Sequence, residues 1–377
     1  MSDSPARVAA RRRRAAGTAT DFDGARLSLA RRLARQPRTT LAASTSVTPT
    51  AITQFERGQA RPTAPVLAEL SLALGVPSDF FRHGQAIQSL SPYTAHFRSL
   101  RATPALARDQ ALAFAELALA VVEVIEQYVD LPAVDIPDHP VSPDAPPSAV
   151  AEAARATRAH FQVPTGPISH VVRLLEVHGV LVLRMPDDCV DRRVDAFSTR
   201  ATTRPLVLLS PMKDDRARSR FDAAHELGHL VMHPDVEPGS KIVESQAHAF
   251  AAEFLMPAAE IKPELPQRVD WEQLHAAKRR WGTSLRALVY RAHALGVLSE
   301  PGYRRANMQL AKEGNPEAGP LGPPESPTLL GSAQQLLGEH GTTVEHLAGA
   351  ARLPLPQVQH VLHAGSDTRP RLEVRPA

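Results

Sequence analysis

Cysteine is almost absent from this chain: Cys189 is its only copy. One cysteine cannot form a disulfide within the chain, and a cysteine-rich zinc site is excluded as well. Long apolar stretches are also missing, since no run approaches the roughly 18 residues that mark a membrane-spanning helix. The arginine run near the start is not followed by an apolar segment, so the sequence predicts no secretory signal. We therefore expect a cytoplasmic protein.

Net charge is small too, +3 over 377 residues, but the basic side chains are unevenly placed. Residues 1–38 hold ten arginines, four of them consecutive from Arg11 to Arg14, against only three aspartates. Such an arm can attract a phosphate backbone through counterion release, and it can equally be a solvated tail. The length predicts two or three domains, and 43% of hydrophobic residues suffices for ordinary cores.

Two proline-rich stretches divide the chain. Six prolines fall within residues 132–147, and a Pro/Gly cluster lies within residues 313–326. Neither stretch can be a helix or a central strand, so both are predicted linkers. The block between them, residues 148–312, combines strand-like runs with helices and is predicted to be α+β. Residues 327–377 are expected to form a small α-helical C-terminal region.

The block before the first linker has helical spacing throughout. Its longest apolar-faced helix is predicted from about Ala105 to Tyr128, inside a helical connector at residues 84–131. This helix either connects domains or forms a homodimer. Residues 1–21 are expected to be a basic flexible tail.

The C-terminal region repeats a spacing from the N-terminal block. Four apolar positions in the first copy recur at the same offsets in the second: Leu41, Ala42, Val47 and Ile52, then Leu347, Ala348, Leu353 and Val358. Offsets of this kind arise in any small bundle of short helices. Unlike the first copy, this block is poor in basic residues before its last turn, so we expect only a small packing or interaction domain at residues 327–377.

The strongest chemical pattern is the H-E-x-x-H motif from His225 to His229. Residues four apart on a helix differ by about 40° in direction, so the two histidines project from one face. Two imidazoles in that arrangement can hold one Zn²⁺, and Glu226 beside them can take a proton from a water on the metal. The motif predicts a zinc-dependent peptidase site, although two surface histidines on a helix would match it as well.

A third ligand is expected on the following helix, from Ile242 to Pro257. Glu244 and Glu253 lie nine residues apart on it and so point in opposite directions. Glu244 shares its side with the apolar face of the helix and is the predicted ligand. His248, one turn later, is a rival ligand or a supporting residue. His233 continues the histidine face of the first helix and is expected to be buried and hydrogen-bonded.

A second pattern lies in residues 22–83, where two short helices are joined by a tight turn. Thr48 is a good N-cap for the second helix, which runs from Pro49 to Phe55 and is closed by a glycine C-cap at Gly58. Two helices joined in this way can lay the second one into a major groove. The same pattern would also suit a helical bundle that pairs with another protein.

Joined motifs between residues 150 and 300 are far more specific than H-E-x-x-H alone. They are Arg220-Phe221-Asp-Ala-Ala-His225-Glu-Leu-Gly-His229-Leu-Val-Met-His233, Glu244-x-x-Ala247-x-x-Phe250-Ala251, Leu255-Met256-Pro257 and, upstream, Asp195-Ala196-Phe197-Ser198. This pattern resembles the ImmA/IrrE family of metallopeptidases. The resemblance implies a zincin fold, with His225, His229 and Glu244 on zinc and Glu226 as the catalytic base.

The N-terminal pattern resembles the XRE (Cro/C1-type) helix-turn-helix family. The residues that carry this resemblance are Leu41-Ala42, Val47-Thr48, Ile52-Thr53-Gln54-Phe55-Glu56-Arg57-Gly58, Arg61-Pro62, Leu74-Gly75-Val76-Pro77 and Phe80-Phe81. The resemblance implies that Thr50, Thr53 and Gln54 meet base edges, while Arg38 and Thr48 hold phosphates.

Two positions depart from the XRE pattern. Arg38 stands where glutamine is usual, and it can still bind phosphate. Ser46 stands where the turn usually has glycine, so it must adopt an unusual backbone angle, or the turn differs.

Together the patterns predict a multidomain chain, with an all-α helix-turn-helix domain, an α+β zincin-like domain and a small helical C-terminal region. The ImmA/IrrE resemblance implies cleavage of a repressor protein, which derepresses mobile-element or stress-response genes. The expected partners are that repressor and a double-stranded DNA operator. One alternative is a transcriptional regulator whose zincin-like domain is a sensor or interaction domain without proteolysis. Another is an antitoxin role, which would need a neighbouring toxin gene.

Overall fold

The computed structural model describes residues 21–91, 95–97, 104–185, 194, 196–200, 203–210, 215–234, 236, 239–314 and 317–366. Arg11 to Arg14, Cys189 and Asp195 lie outside the described residues. The chain forms two compact units: unit 1 comprises Met1–Pro92, Thr103–Asp130 and Ala333–His363, and unit 2 comprises Tyr93–Ala102, Leu131–Ser332 and Ala364–Ala377. Over the described ranges, no helix combines the length and the apolar character needed to cross a bilayer.

The described residues form sixteen α-helices and four strands. The helices are α1 (Gly24–Leu33), α2 (Arg38–Ala43), α3 (Pro49–Glu56), α4 (Ala64–Leu74), α5 (Ala105–Ile125), α6 (Pro147–His160), α7 (Val171–Val177), α8 (Arg216–Met232), α9 (Lys241–Leu255), α10 (Ala258–Ile261), α11 (Trp271–Trp281), α12 (Leu285–Ala294), α13 (Glu300–Glu313), α14 (Leu329–Glu339), α15 (Val344–Ala351) and α16 (Leu355–Ala364). The strands are β1 (Ala95–Phe97), β2 (Leu181–Arg184), β3 (Phe197–Thr199) and β4 (Leu206–Leu209). Helical parts therefore flank a mixed middle part, which confirms the predicted fold class.

In unit 1, helices α1 to α4 enclose a small apolar core. Its fully buried members include Leu27, Leu29, Leu41, Ile52 and Leu70. Local chemistry sets the helix ends. Asp23 caps α1 by accepting a hydrogen bond from the next-but-one backbone N–H, and Gly75 closes α4 at φ 65°, a left-handed angle that favours glycine.

Helix α5 is buried on nearly all sides within unit 1 and packs against α1 and α15. The fully buried carboxylate of Glu116 forms an ion pair with Arg32 of α1 and accepts the Leu90 N–H at 2.8 Å. A helix that is apolar all round belongs inside a folded unit, because only burial on every side removes its surface from water. The long helix predicted from the sequence is therefore the central helix of unit 1.

Unit 2 is built around a mixed sheet with the strand order β1-β3-β4-β2. Strands β2 and β4 run parallel, whereas β3 is antiparallel to both β4 and β1. Nearly all residues of β2, β3 and β4 are buried, and helix α8 packs on β3 and β4. This packing brings the H-E-x-x-H helix onto the strand that contains Ser198.

The two predicted linkers are attached to unit 2. Ile136 and Val141 of the first belong to its hydrophobic core, and the Val141 N–H bonds to the last carbonyl of α8 at 3.0 Å. In the second, Glu325 is 1% exposed, and its carboxylate accepts the first two N–H groups of α7 at 2.7 and 3.1 Å. The described parts of these proline-rich sequences are thus ordered straps rather than free connections.

Candidate functional site

Helix α8 carries the H-E-x-x-H motif and is buried along most of its length. Asp215 caps the helix, since its carboxylate accepts the Arg218 N–H at 3.0 Å. The side chains of His225, Glu226 and His229 are all 0% exposed. Burying three ionisable groups on one helix is costly unless they are hydrogen-bonded, paired or bound to an ion, so these residues need partners.

Helix α9 supplies the facing surface, and Gly228 permits its close approach. A Cβ atom at Gly228 would lie 3.0 Å from Cδ1 and 3.1 Å from Cγ of Phe250, closer than packed side chains normally come. Through this contact Glu244, in the first turn of α9, reaches the two histidines of α8.

The side chains of His225, His229 and Glu244 converge on one point. The two Nε2 atoms lie 3.2 Å apart, and Glu244 places Oε2 3.3 Å from His225 Nε2 and Oε1 3.5 Å from His229 Nε2. Tetrahedral ligands about 2.05 Å from a zinc ion would lie about 3.3 Å from each other. The donor set, two imidazoles and a carboxylate, and its spacing therefore fit a catalytic zinc ion.

Glu226 lies beside this point and is held by the sheet. The Ser198 hydroxyl of β3 donates a hydrogen bond to Glu226 Oε2 at 2.7 Å, and both residues are fully buried. This contact fixes the rotation of a carboxylate that could act as a proton acceptor. The sequence contained Ser198 in its upstream motif but gave no sign of its partner, because the two residues are 28 positions apart.

A hydrogen-bond relay orients His229. Gln246 Nε2 donates to the Ser142 carbonyl at 2.8 Å, which leaves Gln246 Oε1 facing His233 Nε2 at 3.0 Å. Because an amide oxygen can only accept, His233 Nε2 carries the hydrogen. Burial lowers the pKa of His233, against the Gln246 hydrogen bond that raises it, so this ring is neutral at neutral pH.

The relay then fixes which nitrogen of His229 can bind a metal. The neutral His233 ring accepts at Nδ1 from His229 Nδ1, 3.1 Å away. With its hydrogen on Nδ1, His229 turns the Nε2 lone pair to the shared point. Sequence reasoning anticipated a buried, hydrogen-bonded His233 but missed Gln246. The sequence did contain a sign of its role, because Gln246 is a polar residue on the apolar face of α9, four positions before the buried Phe250.

We expect Gln246→Leu to weaken zinc binding by roughly 10- to 100-fold, the usual effect of losing the partner behind a ligating histidine. Leucine is of similar size but cannot accept the His233 hydrogen, so the tautomer of His229 is no longer fixed. Competition against a chromogenic chelator measures the affinity. Ser245→Ala, at the exposed neighbouring position, is the control and should bind like the wild type. Equal affinities for Gln246→Leu and the wild type would contradict the relay.

Two rival ligands from the sequence lie apart from the converging group. Glu253 pairs with Arg291 and accepts the Ala258 N–H at 3.3 Å, so its carboxylate serves the packing of α9. His248 is exposed, and its ring centroid lies 5.4 Å from that of His225.

In unit 1, helices α2 and α3 form the predicted pair with a tight turn. Thr48 caps α3, since its hydroxyl accepts the Ala51 N–H at 3.2 Å. Ser46 is not among the described residues with positive φ, so the turn differs from one that needs glycine; its N–H instead bonds to Glu69 Oε2 at 2.6 Å. The geometry resolves the alternative that the sequence left open at Ser46.

The five candidate DNA contacts lie along α2 and α3. Thr50 and Gln54 are exposed, and the half-buried Thr53 donates its hydroxyl to the Pro49 carbonyl at 3.0 Å. The half-exposed Arg38 pairs with the buried Glu56, Nη2 to Oε2 2.6 Å, and Thr48 is exposed at the cap. The outer face of α3 thus presents short polar side chains to solvent.

Two family models match the chain. The IrrE N-terminal-like domain (Peptidase_M78) matches residues 175–293, which include β2 to β4, α8 and α9. A helix-turn-helix model (HTH_3) matches residues 32–81, from the end of α1 through α4. The chain thus contains an IrrE N-terminal-like domain, as in the ImmA/IrrE family, and an XRE-type helix-turn-helix domain before it. No curated protein matches it.

The two matches place the converging side chains within known sequence families. His225, His229 and Glu244 lie inside the IrrE N-terminal-like match, and α2 and α3 lie inside the helix-turn-helix match. The matched family implies a metallopeptidase-type domain with a metal. Helices α15 and α16 lie outside both matches.

Proposed function

We propose that this chain is a DNA-binding regulatory zinc metallopeptidase that cleaves a repressor-type protein and thereby controls transcription of stress-response or mobile-element genes. A helix-turn-helix and an IrrE-like domain in one chain support a DNA-binding regulator with a zincin-like domain. DNA as a partner suggests that the protein acts in the cytoplasm. His225, His229 and Glu244 are the proposed zinc ligands, and Glu226 is the proposed base.

The observation that carries the peptidase proposal is the environment of Glu226. This carboxylate is fully buried, anchored by Ser198, and adjacent to His225 on the helix that supplies two ligands. A domain that only sensed a ligand or held a structural ion would not need a buried base at this position. The arrangement combines a metal site with a proton acceptor, as peptide hydrolysis requires.

The residues divide the work of hydrolysis. Zinc, when bound, polarises the scissile carbonyl and acidifies water. Glu226 takes a proton from the attacking water and passes it to the departing amine nitrogen. Ser198 keeps the Glu226 carboxylate from turning away, and the relay through His233 keeps the Nε2 atom of His229 available. The polar outer face of α3, with Thr50 and Gln54, would direct this activity to regulators bound near an operator.

The test is a comparison of cells that produce the wild type or Glu226→Gln at equal levels, in the host of this gene. The wild type is expected to create a new N terminus in a DNA-binding protein and to raise a defined set of transcripts. Glu226→Gln, which lacks a proton acceptor but keeps the ligands, should lose both effects while retaining zinc. Mass spectrometry of protein N termini, RNA sequencing and metal analysis provide the three measurements.

Each result has a distinct meaning. Transcripts that respond equally to both proteins, without a new N terminus, would contradict proteolysis and support the sensor alternative. Loss of zinc from Glu226→Gln would instead make this residue part of the metal site.

A further inference from the structure

Helices α15 and α16 reproduce the helix pair that the sequence places on DNA. In both pairs the second helix starts eleven residues after the first: Pro49 follows Arg38, and Leu355 follows Val344. The repeated apolar positions also have matching roles. Leu41 and Ile52 are 0% exposed, and their counterparts Leu347 and Val358 are 2% and 0% exposed. The helix bounds and the burial of the repeated positions thus agree between the two pairs.

The turn of the second pair has the backbone angle that is usual in a helix-turn-helix and that Ser46 of the first pair lacks. Arg352 occupies the position equivalent to Ser46 and adopts φ 49°, the left-handed angle that glycine usually provides in such a turn. The buried guanidinium of Arg26 holds this conformation, because it donates to the Arg352 carbonyl at 2.5 Å and to the Ala351 carbonyl at 2.9 Å. The second pair is therefore a fixed part of unit 1.

The outer face of α16 matches the outer face of α3 position by position. The outer positions of α3 and its C-cap are Thr50, Thr53, Gln54 and Arg57, and the equivalent positions in α16 are Pro356, Gln359, His360 and His363. These four positions of α16 are exposed, and three of them have side chains that can form hydrogen bonds. Glutamine can pair with adenine through two hydrogen bonds.

The chemistry of this face favours a nucleic acid over a protein. Helix α16 contains no Asp or Glu that would repel phosphate, and its outer face has no large apolar or aromatic side chain to anchor a protein partner. The sequence after it, residues 365–377, contains Arg369, Arg371 and Arg375 against Asp367 and Glu373. Side chains of this kind bind phosphate without regard to sequence.

We propose that residues 343–364 form a second helix-turn-helix, whose helix α16 contacts a second segment of the same DNA duplex. The inference rests on the proposed DNA-binding function and extends it, because only the helix pair within residues 22–83 was assigned to a DNA groove. Two reading helices in one chain would lengthen the operator and make recognition depend on the spacing between its two segments.

The experiment uses the full-length chain and duplexes that the wild type selects from a random pool of about 40 base pairs, which spans several helical turns. Gln359→Ala/His360→Ala is expected to lower affinity for the selected duplex roughly 10- to 100-fold and to remove protection from one segment of its footprint. Thr53→Ala/Gln54→Ala should remove protection from the other segment. The control is Gln335→Ala/His340→Ala, which removes the same two residue types from exposed positions outside α16 and should bind like the wild type.

The outcomes separate this inference from the proposed function. An unchanged footprint and affinity for Gln359→Ala/His360→Ala, with loss only for Thr53→Ala/Gln54→Ala, would overturn the second contact and leave the regulator intact. An equal loss for the control pair would also overturn it, because the effect would not belong to the α16 face. A wild type that enriches no sequence would overturn both proposals. An unfolding temperature equal to that of the wild type shows that each variant remains folded.

Discussion

His229→Ala is expected to lower the zinc affinity of the full chain by roughly a thousandfold or more. This loss is larger than the one caused by removing a residue that only hydrogen-bonds a ligand. The reason is geometric. His229 Nε2 lies 3.2 Å from His225 Nε2 and 3.5 Å from a Glu244 oxygen, so it is one of three donors around a single point. Removing one leaves two protein ligands, whereas catalytic zinc sites have three. Competition with a chelator of known affinity, followed by elemental analysis, measures the loss.

His248→Ala is the matched control for this experiment. His248 lies on α9 one turn after Glu244, is exposed, and was the rival ligand in the sequence. We expect this variant to bind zinc within a few-fold of the wild type, because its imidazole is not among the converging groups of the described residues. If His248→Ala lost zinc and Glu244→Ala retained it, the assignment of the third ligand would be wrong.

The second large effect is expected on stability. Glu325→Ala should lower the free energy of unfolding of unit 2 by about 3–5 kcal/mol, the usual result of removing one partner of a buried ion pair. Glu325 Oε1 lies 2.5 Å from Arg220 Nη1, and the two side chains are 0% and 4% exposed. Alanine would leave the Arg220 guanidinium buried without its carboxylate. The first two N–H groups of α7 would also lose the oxygen that accepts their hydrogen bonds.

Urea unfolding followed by fluorescence of Trp271 and Trp281, both in unit 2, measures this change. Glu313→Ala is the control, because Glu313 is an exposed acid at the end of α13, and its loss should change stability by no more than about 0.5 kcal/mol. Similar unfolding curves for Glu325→Ala and Glu313→Ala would show that the strap contributes nothing to unit 2.

The predictions for the two histidines and the third ligand came from the helical period. It placed His225 and His229 on one face and chose Glu244 over Glu253, and the structure brings the first three together while Glu253 pairs with Arg291. Each of these choices needed only directions along one helix, which local geometry determines. The fold class followed from the same local patterns.

Contacts between distant segments were beyond that kind of reasoning. Ser198 meets Glu226 across 28 positions, and Glu325 meets Arg220 across 105. A proline-rich composition predicts the absence of regular structure, yet it says nothing about whether a single acid in that segment is buried. The repeat at residues 327–377 shows the same limit, since spacing alone could not reveal which face of α16 is exposed.

Gly228 has a wider consequence than close packing. A Cβ at position 228 would lie only 3.0 Å from Phe250. The short distance between the axes of α8 and α9 therefore requires glycine at this position. That distance also sets how far the carboxylate of one helix stands from the imidazoles of the other. An ion with longer preferred bonds would have to push two packed helices apart. In the proposed zinc site, Gly228 would therefore limit the size of the ion without being one of its ligands.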